Sequence, residues 1–536
     1  MNQPQPNKKT IISFLILALL ASWFILHPFT NFDVQIGQGD NGRDYYAYQQ
    51  TAHGAAPYKD YWWVYGPLMP YYYGAMINIV GPTIKSIFLG KILLQVIGGV
   101  IIYFIILHFG PPLFAMTAAI WFWVFNPSFS YTYNHVGGVT FLLAIILLAI
   151  KYIHQKKRVY IWSGIILSYF LSLIKVNIGL AAFGAFGLSI LSFDFFQNRS
   201  AFKNNFLIFF ISSLSLAGAL LETYGFFLRG LPVYSIKQCL PYMSEDNPTH
   251  ASVFQTFPMY AWINIRNVFA APTNMILALF INLSFIQTMR ILLKRNLGRD
   301  QTNKLFFSLI ALAIFLLSAL HEFLTSGVPY RLFWASSIQF MFIFIFLSVG
   351  TTAIKPAIRN LLMIALLCLG TYYTLSIHQF IKLFKVPSQF LSQRSGQIYV
   401  QNQPEWMDTV NSTVKFLNDN LKNDESFFAL PYDPLYYYLT ERKSPTRQLI
   451  FFKHINIPPQ QEKTIIAELE KANTRYIVIS NRSEAYLDSL GHFGKDYCPL
   501  LYAYIFENYS PVAAFGDWEK PAEAVFNHAV KIYKKH

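Results

Sequence analysis

Two carboxylates, Asp40 and Asp44, lie in an acidic and aromatic stretch between the first two apolar runs of the chain. Residues 44–53 contain no helix breaker, and Gly54 and Pro57 follow them, so a short helix is predicted with both carboxylates near its start. The helix dipole favours ionised carboxylates there. An ionised carboxylate can remove a proton from a hydroxyl or amine, and two could also hold a divalent cation. The alternative is that one of them only caps the helix.

A second group of residues could bind a substrate or its phosphate. These residues lie in the same stretch or at the ends of apolar runs: Lys59, Asp60, Lys175, Arg331, His321 and Glu322. The guanidinium of Arg331 could bind two phosphate oxygens, and an ionisable residue at the membrane, such as Lys175, is functional by default. Each residue also has a structural alternative. Arg331 and Lys175 could anchor helices at the membrane surface, and His321 and Glu322 could make only a helix-end hydrogen bond.

The composition indicates an integral membrane protein. Of the 536 residues, 54% are hydrophobic and only 13% are charged, too few charges for the surface of a soluble protein of this length. We predict a polytopic α-helical protein with about 11 membrane-spanning segments, each of the length that a bilayer requires. The predicted segments are 11–28, 84–108, 112–130, 136–153, 159–175, 177–194, 205–225, 269–290, 305–320, 331–352 and 360–378.

The lysine and arginine residues predict the orientation of these segments. They cluster in short connections that all fall on one side when the spans alternate, and the positive-inside rule makes that side the cytoplasm. The loops 29–83 and 226–266 and the chain after about residue 380 then lie on the outer side. We therefore expect a multi-pass protein of the inner (plasma) membrane with a cytoplasmic N terminus. Because the net charge of +15 follows this topology, nucleic acid is not expected as a partner.

The composition changes near Pro404, where helical patterns begin to alternate with short apolar runs. The predicted helices are 406–421, 460–471 and 499–508, and the predicted strands are 427–430, 448–452, 476–480 and 512–515. The pattern predicts two domains. A transmembrane domain, 1–380, carries the outer loops, and a small extracytoplasmic α/β domain comprises 381–536.

Three groups of residues carry a resemblance to a known family. The first comprises Asp40-Asn41-Gly42, the tyrosine-rich helix, Pro57-Tyr58-Lys59-Asp60 and Gly66-Pro67-Leu68. The second is Leu173-Ile174-Lys175-Val176-Asn177, and the third is Leu430-Pro431-Tyr432-Asp433-Pro434 with Pro445-Thr446-Arg447. With these residues the chain resembles GT-C-type glycosyltransferases, above all the bacterial relatives of protein O-mannosyltransferases and aminoarabinose transferases. The resemblance covers nearly the whole chain.

The resemblance implies a GT-C-like fold and a glycosyltransferase that uses a sugar, hexosyl or pentosyl, carried on a polyprenyl phosphate. The acceptor would be a glycan, lipid or protein at the outer membrane surface, and direct displacement would invert the anomeric centre. In this family one acidic residue of the first outer loop acts as base or orients the acceptor. Asp40 fits that pattern best, and Asp44 is the second candidate. Asn41 stands where many relatives carry Glu, so no metal ligand is assigned, and a requirement for a divalent cation stays open.

Two other classes of function remain open at this point. One is a polytopic transporter or lipid flippase without transferase activity, although the sequence shows no inverted repeat and no paired interrupted helices. The other is a non-catalytic assembly or sensing protein that uses the outer α/β domain. Substitution of Asp40 separates both from an enzyme.

Overall fold

The structure of the protein is a computed structural model. It describes residues 8–26, 31–32, 37–129, 133–239, 286, 299–326, 333–349, 356–377, 399–400, 403–484, 490–520, 522 and 527–536. Two predicted features, Arg331 and nearly all of the span 269–290, lie outside these residues.

Apolar helices make up most of the chain before residue 380. Among the described residues, five helices are long and apolar enough to cross a membrane. Numbered in chain order with the others, they are α4 (Ile84–Leu107), α6 (Tyr133–Gln155), α8 (Val176–Gln197), α9 (Arg199–Leu228) and α11 (Arg299–Ser326). The remaining helices at predicted spans are α1 (Lys8–Leu26), α5 (Pro112–Phe129), α7 (Arg158–Ser172), α12 (Phe333–Val349) and α13 (Pro356–Ile377).

Every predicted span within the described residues coincides with one of these helices. The predicted break near Lys175 is present, because α7 ends at Ser172 and α8 begins at Val176. Only the span 269–290 has no described counterpart, so the total of about 11 spans stays a prediction.

Burial separates the centre of the helix bundle from its lipid-facing surface. In their apolar windows, α4 is 67% buried and α6 is 78% buried, whereas α9 is only 22% buried. Large apolar side chains point outward on the outer helices: Leu221 and Phe226 are each 76% exposed, and Leu19 is 73% exposed. A continuous apolar surface of this kind is stable in lipid and not in water.

The acidic stretch forms three elements between α1 and α4. A π-helical turn (Gly37–Asn41) leads into α2 (Gly42–Ala52), and α3 (Leu68–Val80) follows. The helix predicted over 44–53 is therefore present and begins two residues earlier. All side chains of α2 from Gly42 to Thr51 are buried, although the helix is polar.

The end of the first loop is joined to the turn between α7 and α8. The backbone N–H groups of Gly66 and Leu68 donate to the carbonyl oxygens of Ile174 and Leu173, both at 2.9 Å. A Cβ atom on Gly66 would overlap the Leu173 carbonyl group, so this close approach requires glycine. Two of the three motifs that carry the family resemblance are thus held together by backbone hydrogen bonds.

The C-terminal residues form a four-stranded mixed sheet. Its strand order is β3 (Phe427–Leu430), β4 (Tyr476–Ser480), β6 (Val530–Lys535) and β5 (Tyr509–Phe515). The first pair is parallel and the other two pairs are antiparallel. The helices are α10 (Val233–Cys239), in the 226–266 loop, and α14 (Pro404–Asn420), α15 (Leu435–Thr440), α16 (Pro459–Lys471) and α17 (Pro499–Asn508), in the C-terminal region. A separate pair joins β1 (Asn31–Phe32) to β2 (Tyr399–Val400) in parallel.

Most C-terminal elements lie where the sequence predicts them, with three differences, of which one is that the short helix α15 (Leu435–Thr440) was not predicted. The strand predicted at 448–452 is wrong, because this segment joins no sheet; its backbone contact to β3 is one bond from Phe451 N–H to the Pro431 carbonyl (3.0 Å). The strand β6 was not predicted, because three lysines mask its apolar residues. The boundary between domains at residue 380 stays a prediction.

The contact at Gly66 gives a first prediction. Gly66→Ala should destabilise the protein by about 1–3 kcal/mol or more, because the new methyl group has no space beside the Leu173 carbonyl. Thermal unfolding of the detergent-solubilised protein measures the effect. The matched control is Gly184→Ala in α8, where a Cβ atom meets nothing within 4 Å. Equal unfolding temperatures for the two variants would contradict the prediction.

Candidate active site

The centre of the candidate site is the guanidinium of Arg43, which binds both predicted carboxylates. Its Nη1 donates to Oδ1 of Asp40 at 3.0 Å, and its Nη2 and Nε donate to Oδ1 of Asp44 at 2.7 and 3.0 Å. The guanidinium carbon lies 5.1 Å from the ring centre of Tyr65 and 5.5 Å from that of Trp63. Arg43 therefore holds the two acids in fixed positions through charge-assisted hydrogen bonds.

The C-terminal region contributes Tyr432 to this cluster. The Tyr432 hydroxyl donates to Oδ1 of Asp40 at 2.8 Å and accepts from Nη1 of Arg43 at 3.0 Å. The two segments can approach because Gly42 has no side chain: a Cβ atom there would lie 2.5 Å from the backbone nitrogen of Leu435. The third resemblance motif thus meets the first at the predicted catalytic residue.

The two carboxylates differ in exposure. The side chain of Asp40 is 39% exposed, whereas that of Asp44 is fully buried. Burial raises the pKa of Asp44 to about 6, although the adjacent Arg43 guanidinium acts in the opposite direction. Neither acid caps α2, because the N-cap residue is Asn41 and it makes no side-chain cap hydrogen bond. The capping alternative is therefore wrong, and Asp40 is the acid that an incoming substrate can reach.

A second polar cluster joins residues that the sequence analysis singled out separately. The Lys175 ammonium donates to Oε2 of Glu322 at 2.8 Å, and the Asn177 amide donates to Oε1 of Glu322. The same amide nitrogen lies 2.9 Å from Nε2 of His321. The side chain of Lys175 is 14% exposed and that of Glu322 is 1% exposed, so this is a nearly buried ion pair. The pair fixes the start of α8 against α11.

Aromatic rings connect the two clusters. Each residue contacts the next in a row. The Arg43 guanidinium lies 5.1 Å from the ring centre of Tyr65, and the Tyr65 and His135 ring centres are 5.5 Å apart. The His135 and Trp334 ring centres are 5.2 Å apart, and the Lys175 ammonium lies 5.6 Å from the Trp334 ring centre. Tyr65 and His135 are partly exposed, whereas Trp334 is buried. Of the three rings, Tyr65 and His135 are therefore the two that a ligand can reach.

The remaining predicted residues lie apart from these contacts. Lys59 and Asp60 are exposed on the turn after α2. Oδ2 of Asp60 accepts the backbone N–H of Ala56 at 2.7 Å, which stabilises the turn. No contact between this turn and Asp40 is observed among the described residues, and Arg331 lies outside them.

Sequence reasoning did not assign roles to Tyr432 or His135. Tyr432 was part of a resemblance motif, but nothing in the sequence indicates that it reaches Asp40 across 392 positions. His135 follows Asn134 at the start of α6. Two polar residues at the outer end of an apolar run could have indicated a site there.

The carboxylates do not form an evident metal site. Among the described residues, no three His, Cys, Asp or Glu side chains are grouped so that they could hold a metal ion. The Arg43 guanidinium also occupies Oδ1 of both Asp40 and Asp44. A cation between these two acids would have to displace a buried guanidinium, so the residues do not fit a divalent metal bridge.

The shifted acid gives a pH prediction. Because burial raises the pKa of Asp44 from 3.8 to about 6, the folded protein retains a proton that the unfolded chain releases in this interval. The contribution of Asp44 to stability is greatest below about pH 4 and falls by about 3 kcal/mol as the pH rises to 6. Asp44→Asn lacks this dependence. Unfolding temperatures of both proteins at pH 4.5 and 7 measure it, and parallel pH profiles would contradict it.

The second cluster gives a stability prediction. Lys175→Ala should cost about 3 kcal/mol, because it leaves the buried carboxylate of Glu322 without its cation. Glu322→Gln in the Lys175→Ala background should recover part of the loss, since the neutral amide is easier to bury. The control is Arg475→Ala, which breaks a more exposed pair with Glu425 and should cost less than about 1 kcal/mol. Equal thermal shifts for the two alanine variants would contradict the prediction.

The fold is similar to that of solved membrane proteins. ArnT from Cupriavidus metallidurans bound to undecaprenyl phosphate matches with a TM-score of 0.56 and 11% identity over 97% of each chain. The archaeal oligosaccharyltransferase AglB from Archaeoglobus fulgidus, in complex with an inhibitory peptide and a dolichol-phosphate, matches with a TM-score of 0.43 and 12% identity over 89% of this chain and 70% of that one. The arabinofuranosyltransferase AftD from Mycobacteria matches with a TM-score of 0.44 and 13% identity over 98% and 41%.

Comparisons of the sequence with protein-family models and with curated proteins give no match. At 11% identity the structural likeness to ArnT concerns the fold, and it extends over 97% of both chains. The predicted fold is therefore confirmed at that level, and the chain shares the membrane-protein fold of ArnT.

Proposed function

We propose that this protein is an integral membrane glycosyltransferase that moves a sugar from a polyprenyl-phosphate donor to an acceptor at the non-cytoplasmic face. The acceptor is a glycan, a lipid or a protein, and the transferred sugar is a hexosyl or pentosyl group. The protein lies in the inner (plasma) membrane with its N terminus in the cytoplasm and its C-terminal α/β domain outside.

The observation that carries the proposal is the position of Asp40. It is a partly exposed carboxylate in a cluster of buried charges, where the first loop meets the C-terminal region. The surrounding fold matches ArnT, whose structure holds undecaprenyl phosphate, over almost the whole of both chains. A carboxylate held at this junction has the chemistry that an acceptor hydroxyl or amine requires.

Asp40 acts as the base. The described residues donate only to its Oδ1, so Oδ2 remains for the acceptor. Oδ2 accepts the proton of the acceptor O–H or N–H group while the acceptor atom forms a bond to the anomeric carbon. The bond from that carbon to the phosphate oxygen breaks, and the phosphate leaves with the electron pair. Attack opposite to the leaving group inverts the anomeric centre.

Arg43, Asp44 and Tyr432 position the base. Arg43 ties Asp40 to the buried Asp44, and the Tyr432 hydroxyl bonds to the same oxygen of Asp40 from the other side. Asp40 therefore needs little reorganisation as it becomes protonated. Asp44 is not itself the base, because its side chain is fully buried.

The leaving phosphate requires cations. Lys59, Lys175 and Arg331 are proposed for this role. The side chain of Lys175 is 14% exposed, so a phosphate can approach this cation while Glu322 holds it. Asp60 holds the turn that carries Lys59, and His321 and Glu322 hold the cluster that carries Lys175.

The transfer reaction gives the central prediction. Asp40→Asn should lower transfer from a polyprenyl-phosphate sugar by at least about 100-fold, because the amide cannot accept the proton. Radiolabelled sugar transfer by protein in lipid nanodiscs measures the rate, and thermal unfolding checks that the variant folds. The matched control is Asp419→Asn, an exposed acid on α14, which should keep full activity.

Two other outcomes change the proposal. Full activity in Asp40→Asn with loss of activity in Asp44→Asn would reassign the base to Asp44. Full transfer activity in both variants would reject carboxylate base catalysis at this site. Absence of transfer by the unsubstituted protein would favour a transporter or a non-catalytic role.

A further inference from the structure

We infer that Arg482, in the C-terminal region, binds an anionic group of a substrate beside Asp40. The inference rests on the proposed function only in calling that ligand a substrate. The site itself is a cation held between aromatic rings at the edge of the carboxylate cluster, and no motif in the sequence marked it.

Two aromatic rings and one backbone bond position the guanidinium. Its carbon lies 5.8 Å from the ring centre of Tyr432 and 5.3 Å from that of Phe452. Its Nη1 donates to the Tyr432 carbonyl oxygen at 3.0 Å. Rings that contact a guanidinium restrict its rotation, so its remaining N–H groups keep a fixed direction. The side chain is also partly exposed, so a ligand can reach it.

Arg482 differs from Arg43 in its charge balance. Arg43 is bound to two carboxylates, whereas no carboxylate oxygen of the described residues lies within 4.0 Å of an Arg482 nitrogen. The adjacent acid, Asp433, is buried and accepts a hydrogen bond from the Ser480 hydroxyl at 2.7 Å instead. Among the described residues Arg482 therefore makes no close ion pair, although its charge partly offsets the rise that burial causes in the pKa of Asp433.

This charge lies next to the predicted base. A Cβ atom on Gly39 would be 3.5 Å from Nη1 of Arg482, so the arginine contacts the turn that carries Asp40. Tyr432 connects the two directly, because its carbonyl accepts from Arg482 and its hydroxyl donates to Asp40. An anion at Arg482 would therefore be within one sugar residue of Asp40.

A phosphate or carboxylate group fits this arrangement. Nε and Nη2 of Arg482 donate to no acceptor among the described residues, and together they form the edge that binds two oxygens of one anion. The anion has two sources: the phosphate of the lipid donor, or an acidic group on the acceptor. Both share the same chemistry, and the donor and acceptor can be tested separately.

The test measures binding to the full-length protein in zwitterionic nanodiscs, without any transfer reaction. Undecaprenyl phosphate is the probe for the donor, and glucuronate, a sugar with a carboxylate group, is the water-soluble probe for an anionic acceptor. Arg482→Gln should weaken one of them by about tenfold or more, and Arg482→Lys should weaken it less. The matched control is Arg475→Gln, since Arg475 also lies 5.4 Å from a ring centre, that of Tyr476, but is already paired with Glu425.

Each outcome is decisive. Weaker binding of undecaprenyl phosphate alone assigns the anion to the donor, and weaker binding of glucuronate alone assigns it to the acceptor. Weaker binding of both supports the inference with an anion site that accepts either group. Unchanged affinities for both probes would overturn the inference. If Arg482→Gln unfolds, Arg482→Lys decides, because it keeps the charge and removes the two-oxygen edge. A failed transfer reaction with intact Arg482-dependent binding would reject the proposed function and leave this inference standing.

Discussion

The hydrogen bonds of Arg43 to two carboxylates are the interaction on which the candidate site depends. The arginine side chain is 3% exposed and that of Asp44 is fully buried, so each would be costly in the folded protein without the other. Pairing them lets a polar turn and a polar helix be buried together between the membrane helices and the C-terminal region. Asp40 is the third charge of the group, and it is the one that remains partly exposed. The site thus has one reachable carboxylate, whose position is set by charges that no substrate contacts.

The C-terminal region completes this site. The Ser444 backbone N–H donates to the Tyr46 hydroxyl at 2.9 Å. The Arg447 guanidinium donates to the Tyr58 carbonyl oxygen at 3.0 Å, and the Arg447 carbonyl oxygen accepts from the Trp62 N–H at 2.8 Å. On the other side, Gly66 binds the turn before Lys175. The first loop is therefore fixed from two directions, and the position of Asp40 depends on both contacts.

The sequence predicted the parts of this arrangement that follow from local patterns. Apolar periodicity located the spans, because a bilayer imposes a minimum length on each helix. The strands β3 and β4 were predicted because their apolar residues are uninterrupted. The strand β6 was missed, because its partners β4 and β5 make it a strand despite its lysines. Asp40 was proposed as the catalytic residue because its surroundings match the family pattern. Its contact with Tyr432 could not be predicted, since that contact depends on long-range packing. Lys175 and Glu322 were predicted separately, and the structure shows that they form one ion pair. The sequence could not indicate this pair, because it also depends on long-range packing.

The pairing of the cations has a consequence for turnover under the proposed reaction. One of the cations proposed for the leaving phosphate, Lys175, is already bonded to the carboxylate of Glu322. A phosphate at such a cation competes with the carboxylate, so it binds more weakly than at an unpaired cation. After transfer, the lipid phosphate is the product that must leave, and tight binding of it would slow the cycle without lowering the barrier of the chemical step. Paired cations stabilise the negative charge that develops as the phosphate departs and still release the product. Arg482 makes no close ion pair among the described residues and so has the opposite property, which suits an anionic group that must stay bound until the new bond has formed.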